Sequence, residues 1–140
     1  MDFTIRETRE GDFTNILSLM QASEISTAYL TQERFNRMLA KNRGFSYVAE
    51  AGGKIVGSIF GEHDGGFTGS IRRLAVAEQY RRQSIGSALV RRVVKEFEKA
   101  DIPWKYCHVE ESNDASIELF RSLGFQLRKT HYLMDKGPAK

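Results

Sequence analysis

The stretch from Ser70 to Val109 constrains this chain more than any other. "SIRRLAVA" reads as a strand. "YRRQSIGSALV" turns out of it into a helix spanning Gln83 to Ala100, whose apolar stripe is Ile85, Ala88, Leu89, Val93, Phe97 and Ala100, widened by Val90 and Val94. Arg91, Arg92, Lys95, Glu98 and Lys99 occupy the remaining face. "IPWKYCHV" then reads as a second strand. A strand, a helix and a strand in this order form a crossover, so the two strands are expected to be parallel.

The flanking segments do not repeat that unit. Phe3 and Ile5 alternate with polar residues in a short strand signal, and Asp12 opens a helix marked by Phe13, Ile16, Leu17 and Met20. Ser23 to Leu30 is polar and irregular. Thr31 starts a second helix with Phe35, Met38 and Leu39 on its apolar face, ended by Arg43-Gly44. "FSYVAEAGGKIVGSIFGE" reads as a hairpin about Gly52-Gly53, a dipeptide that accepts the positive φ angles of a tight turn. "NDASIELFRSLGF" is a helix closed by Gly124, and "QLRKTHYLM" is expected to give one or two last strands. The fold class is therefore α/β: a mixed, mostly antiparallel sheet with a central parallel strand pair, flanked by helices. With 140 residues and no linker, one domain over 1–140 is expected.

Arg and Lys outnumber Asp and Glu by 21 to 18, a net charge of +3. That balance suits an anionic ligand without requiring nucleic acid. Arg72, Arg73, Arg81, Arg82, Arg91 and Arg92 lack interleaved aromatics, so a nucleic-acid partner is not expected. Cys107 is alone, which excludes an intrachain disulfide and a cysteine-based metal site. No window reaches the ~18 apolar residues of a membrane span, and the N-terminus has no leader-like apolar run, so a cytoplasmic protein is expected.

The turn before the long helix carries the chemistry. A helix N-terminus presents unpaired backbone N–H groups and the positive end of its dipole. Ser84, Gly86 and Ser87 are small enough to leave those groups accessible, Arg81 and Arg82 add charge, and Gln83 adds a donor. This pattern suits a diphosphate; a solvated basic turn is the other reading.

Here the sequence resembles the GNAT superfamily of acyl-CoA-dependent N-acyltransferases. Arg81-Arg82-Gln83-Ser84-Ile85-Gly86 matches the family's Arg/Gln-x-x-Gly-x-Gly/Ala signature, and Asn113, Ala115, Phe120, Gly124 and Phe125 match a second one. The resemblance implies a GNAT fold whose parallel pair is splayed, acetyl-CoA as cosubstrate, and transfer to a primary amine in a small molecule or peptide. A homodimer is compatible with it, and no metal is implied. It also implies cofactor contacts from Leu74, Ala75, Val76, Arg81, Arg82, Gln83, Ser84, Ile85, Gly86, Ser87, Asn113 and Phe120. A non-catalytic acyl-CoA-binding module on the same fold is the alternative.

Two departures stand out. Ser84 replaces the usual glycine, and Phe120 replaces the tyrosine that many members use to protonate the departing thiolate. For the base, His108 occupies the position where ribosomal-protein acetyltransferases of the family carry glutamate; Glu62 and His63 are weaker candidates, and Tyr132 is a remote candidate acid. Ser70 stands where many members place a glutamate near the start of the strand. Trp104 and Tyr106 are expected to be core, and Cys107 a buried hydrophobe on the opposite face.

Overall fold

The computed structural model describes residues 2–82 and 84–138, which cluster as two compact units divided between His108 and Val109. The first unit holds a five-stranded sheet in the order β1-β2-β3-β4-β5. Its strands are β1 (Thr4–Glu7), β2 (Tyr47–Ala51), β3 (Lys54–His63), β4 (Thr68–Val76) and β5 (Trp104–Cys107). β1 to β4 pair antiparallel in succession, and β4 pairs parallel with β5 across α3 (Ile85–Lys99), as the crossover requires. Between β1 and β2 lie α1 (Phe13–Ala22) and α2 (Gln32–Lys41).

Local chemistry sets these boundaries. Ala51 pairs with Lys54 across Gly52 (φ 57) and Gly53 (φ 77), the two positive angles of a tight hairpin turn. Thr31 caps α2 by accepting a hydrogen bond from Arg34 N at 3.2 Å. Asp12 does not cap α1. Its carboxylate instead receives both terminal nitrogens of Arg6 at 2.9 Å and the Arg9 amide at 2.8 Å. Arg6 Nε also donates to Glu50, so one guanidinium ties β1 to β2 and to the turn before α1.

The two sheet faces are filled differently. Ile16 and Met20 of α1 and Phe35 of α2 form a buried cluster with Val48 and Phe60, with ring contacts from Phe35 to Phe13 (5.1 Å) and to Phe60 (6.0 Å). The opposite face takes α3, whose Ile85, Leu89, Val90, Val93 and Phe97 are all buried. That helix sits close because the sheet beneath it lacks side chains. A Cβ on Gly61 would lie 2.6 Å from Phe45 O and 2.8 Å from Val93 Cγ1; one on Gly69 would lie 2.7 Å from the Phe97 ring.

The second unit contains α4 (Asp114–Ser122). Asn113 Oδ1 caps it by accepting from Ser116 N at 3.1 Å. Gly124, at φ 93, ends it with Phe125 N bonded to Phe120 O at 3.0 Å. The expected last strands do not form: residues 125–138 carry no strand. Leu127, Tyr132, Leu133 and Met134 are exposed, and Arg128, Lys129, Thr130 and His131 interrupt them so that neither alternating face is continuously apolar.

Two measurements check this description. In urea titrations, Gly61→Ala lowers stability by about 1–3 kcal/mol through overpacking. Gly66→Ala, with nothing within 4 Å of its Cβ position, shifts it by less than about 0.5 kcal/mol. The Asp12 carboxyl is pushed up by burial, but Arg6 and the Arg9 amide outweigh that and hold it below its usual range. Its contribution is present above the unfolded value of about 3.9 and is lost as pH falls through the lower folded value. Asp12→Asn therefore lowers stability at pH 7 by about 1–2 kcal/mol and flattens the acid limb below pH ~4.

Candidate active site

β4 outruns its parallel partner. The β4–β5 register begins at Thr68↔Trp104 and ends at Ile71↔Cys107, whereas β4 continues to Val76. Over the unshared part β4 also bulges. Phe60 faces Arg72 and Ser58 faces Ala75, so Ile59 alone opposes Arg73 and Leu74. Arg73 takes φ 53, the left-handed angle that lets a bulge turn the strand. Ala77 N bonds to Val56 O at 2.8 Å. By antiparallel alternation Val76, opposite Gly57, directs its N–H and C=O away from β3, toward the side where β5 has ended. Leu74 belongs to the bulge, while the buried Ala75 faces Ser58.

The chain then passes through a 3-10 turn (Glu78–Tyr80) into the predicted cradle. Arg81 is extended, and its Nε donates to Val76 O at 3.0 Å, tying the turn back to the strand end. Arg82 (φ 65) and Ser84 (φ 66) are both left-handed. Ser84 thus holds the backbone angle that glycine adopts freely, and its side chain makes no cap bond to α3. That conformation also starts the helix at Ile85 rather than at Gln83, which lies outside the described residues. Among the described residues the first helical bond is Ala88 N to Ser84 O at 3.0 Å, and the amides of Ile85, Gly86 and Ser87 lie ahead of it at the helix start. Ile85 offers only its amide, because its side chain is buried in the core.

The face of the sheet shared with Phe60 carries the candidate catalytic groups. Register places Glu62 beside Ser70 and Ser70 beside Tyr106, a row across three strands. Glu62 Oε1 accepts from Ser70 Oγ at 3.1 Å and from Arg72 Nε at 2.6 Å. Burial pushes this carboxyl up, but Arg72 and Ser70 outweigh it and hold it below the usual range. Glu62 therefore remains an anion and is a weak proton acceptor at neutral pH. A cavity of about 220 Å³ beside it is lined by Met38, Lys41, Phe60, Glu62, Arg72 and Arg73, among others.

His108 is exposed just beyond β5, with its ring 5.5 Å from that of Tyr106 at 78°. His63 is not brought to this face. Its ring packs against Phe45 (4.6 Å) and Phe97 (6.3 Å), and its Nδ1 accepts from Gly65 N at 3.0 Å. The expectation that Trp104 and Tyr106 are core does not hold: both are exposed, at the edge strand of the sheet, while α1 packs chiefly on β3 and β4. Cys107 is half-buried, and burial pushes its thiol up to about 11, which keeps it protonated and unreactive at neutral pH. In the second unit, Asn113 is engaged as the α4 cap, Phe120 packs against Phe125 at 5.1 Å, and Tyr132 is exposed.

Two signals for this site lay outside the motif. Glu62 stands directly across the strands from Ser70, a neighbour that only the register reveals. Tyr106 joins the row for the same reason.

Comparison with known proteins agrees with this geometry. The family model described as Acetyltransferase (GNAT) family matches residues 8–125. Acetyltransferase ECA0875 of Pectobacterium atrosepticum is 31% identical over 123 residues, covering 87% of this chain and 86% of its own. Ard1 from Thermoplasma volcanium superposes with a TM-score of 0.77 at 26% identity, over 91% of this chain and 85% of that one. Arabidopsis thaliana Naa50, solved with the bisubstrate analogue CoA-Ac-MVNAL, shares the fold at a TM-score of 0.75 and 20% identity, over 92% and 86% of the two chains. A strand that outruns its parallel neighbour into a helix N-terminus, the two sequence signatures and the family match agree: the chain belongs to the acetyltransferase (GNAT) family.

Proposed function

We propose that this protein transfers the acetyl group of acetyl-CoA to a primary amine by direct attack within a ternary complex. The observation that carries the proposal is the overrun of β4 beyond β5, which leads to a helix start where, among the described residues, the amides of Ile85, Gly86 and Ser87 lie ahead of the first helical bond. Acetyl-CoA would supply the activated acyl group as a thioester. The outward N–H of Val76, beside the C=O that Arg81 Nε engages, suits an amide-bearing arm such as pantetheine, and for Leu74 the support is the family resemblance. The amides of Ile85, Gly86 and Ser87, with Arg81, Arg82 and the motif's Gln83, suit a pyrophosphate. For Asn113 and Phe120 the support is the family resemblance.

The acceptor must lose a proton before it attacks, because a lysine-like amine has a pKa of about 10.4. Glu62, kept anionic by Arg72 and Ser70, would hold the ammonium form by charge. The exposed imidazole of His108 would take the proton, directly or through water. Phe120 has no proton to give, and a thiol of pKa about 8.5 is an adequate leaving group without one. The lone, protonated Cys107 suits a reduced, cytosolic setting and gives no covalent route.

The tight hold of Arg72 on Glu62 also favours a second reading, an acyl-CoA-binding module without turnover. Thiol release separates the two: protein-dependent release with any amine supports transfer, and none across a broad amine set supports the module.

Acetyl-CoA is expected to raise Tm, and Gly86→Glu to abolish the shift by placing bulk and negative charge at the helix start. An unchanged Tm at millimolar acetyl-CoA contradicts the assignment. With an acceptor in hand, His108→Ala lowers kcat/KM by about 10²-fold; an unchanged value removes His108 as the base.

A further inference from the structure

A second cavity, of about 480 Å³, lies beside the one that holds Glu62, and the two share Met38, Lys41 and Arg73. Its charged lining is of one sign: Arg34, Arg37, Lys41 and Arg73. The first three stand at i, i+3 and i+7 on one face of α2. Arg73 reaches the same hollow from the β4 bulge, at a left-handed angle that a non-glycine residue adopts only when its surroundings hold it. Among the described residues, none of the four has a carboxylate within ion-pair distance; the ion pairs there engage Arg6, Arg72, Arg92 and Lys99. The contrast with the neighbouring residue is direct, since Arg72 is paired with Glu62.

Four like charges converging on one concavity repel one another. An anion seated there relieves that repulsion, and arginine forks suit planar or tetrahedral oxyanions. The volume is that of a small-molecule site. We infer that the acceptor is a small amine carrying a carboxylate or phosphate, with its anionic end held by Arg34, Arg37, Lys41 and Arg73 and its amine directed toward Glu62. The inference rests on the acyl-transfer reading for the amine end only; the anion seat stands on this cavity. The same field disfavours polycationic amines.

The test compares amines matched except for the anion: phosphoethanolamine against ethanolamine, and β-alanine against β-alaninamide, with spermidine as the cationic competitor. Thiol release is expected to show a KM at least about tenfold lower for the anionic member of one pair. The pair that responds identifies phosphate or carboxylate. Arg37→Gln with Lys41→Gln removes that advantage and keeps the acetyl-CoA-induced rise in Tm. Equal or better turnover of the neutral amines or spermidine overturns the inference. If no amine turns over, calorimetry with and without CoA decides it: tenfold tighter binding of phosphoethanolamine or β-alanine, lost in the double variant, upholds the anion seat, and equal binding overturns it. Failure of the acyl-transfer reading shows separately, as absence of the acetyl-CoA shift in the unsubstituted protein.

Discussion

Everything at the candidate site depends on β4 being longer than β5. A strand inside a sheet has its backbone groups bonded on both sides. β4 has that arrangement only as far as Ile71. Beyond it, β3 bonds one side, and the bulge at Arg73 and Leu74 re-aims the backbone. The strand then ends against Arg81, whose guanidinium returns to Val76 O, and the next regular element is a helix pointing its amide end at the same region. One chain segment thus presents extended backbone groups and helix-terminal amides in sequence, in the order in which a long ligand with an amide arm and a diphosphate would meet them.

The packing explains why that segment holds its place. α3 is pinned by Ile85, Leu89, Val93 and Phe97 against a sheet surface emptied by Gly57, Gly61 and Gly69. Ile85 is both the first helical residue and a core residue, so the helix N-terminus cannot shift without disturbing the core. On the other face, α1 and α2 bury Phe35 and Phe60 and leave the outer side of α2 to its arginines and lysine. The same helix that closes the core therefore sets the charge of the hollow beside Glu62.

Much of this was legible in the sequence. The apolar stripe of α3, the Gly52-Gly53 turn, the Thr31 start and the Gly124 stop each have a local cause, and each reads correctly from neighbouring residues. The crossover gave the parallel pair. What was not legible is what depends on register or on distant segments. Glu62 meets Ser70 because of how β3 and β4 align, and Arg73 joins Arg34 and Arg37 across nearly forty positions of sequence. The strand-like run after Gly124 failed for the opposite reason: local β propensity lacked a continuous apolar face to bury. Ser84 lies between these cases. Its departure from glycine was visible, but only its φ of 66 shows that the position demands what glycine provides.

The most direct test of the account is amide NMR during a CoA titration. The largest shift changes are expected at the backbone N–H groups of Val76, Ile85, Gly86 and Ser87, with pantetheine alone moving Val76 but not the helix start. Shifts confined to other segments, with these four amides unmoved at saturating CoA, would contradict it.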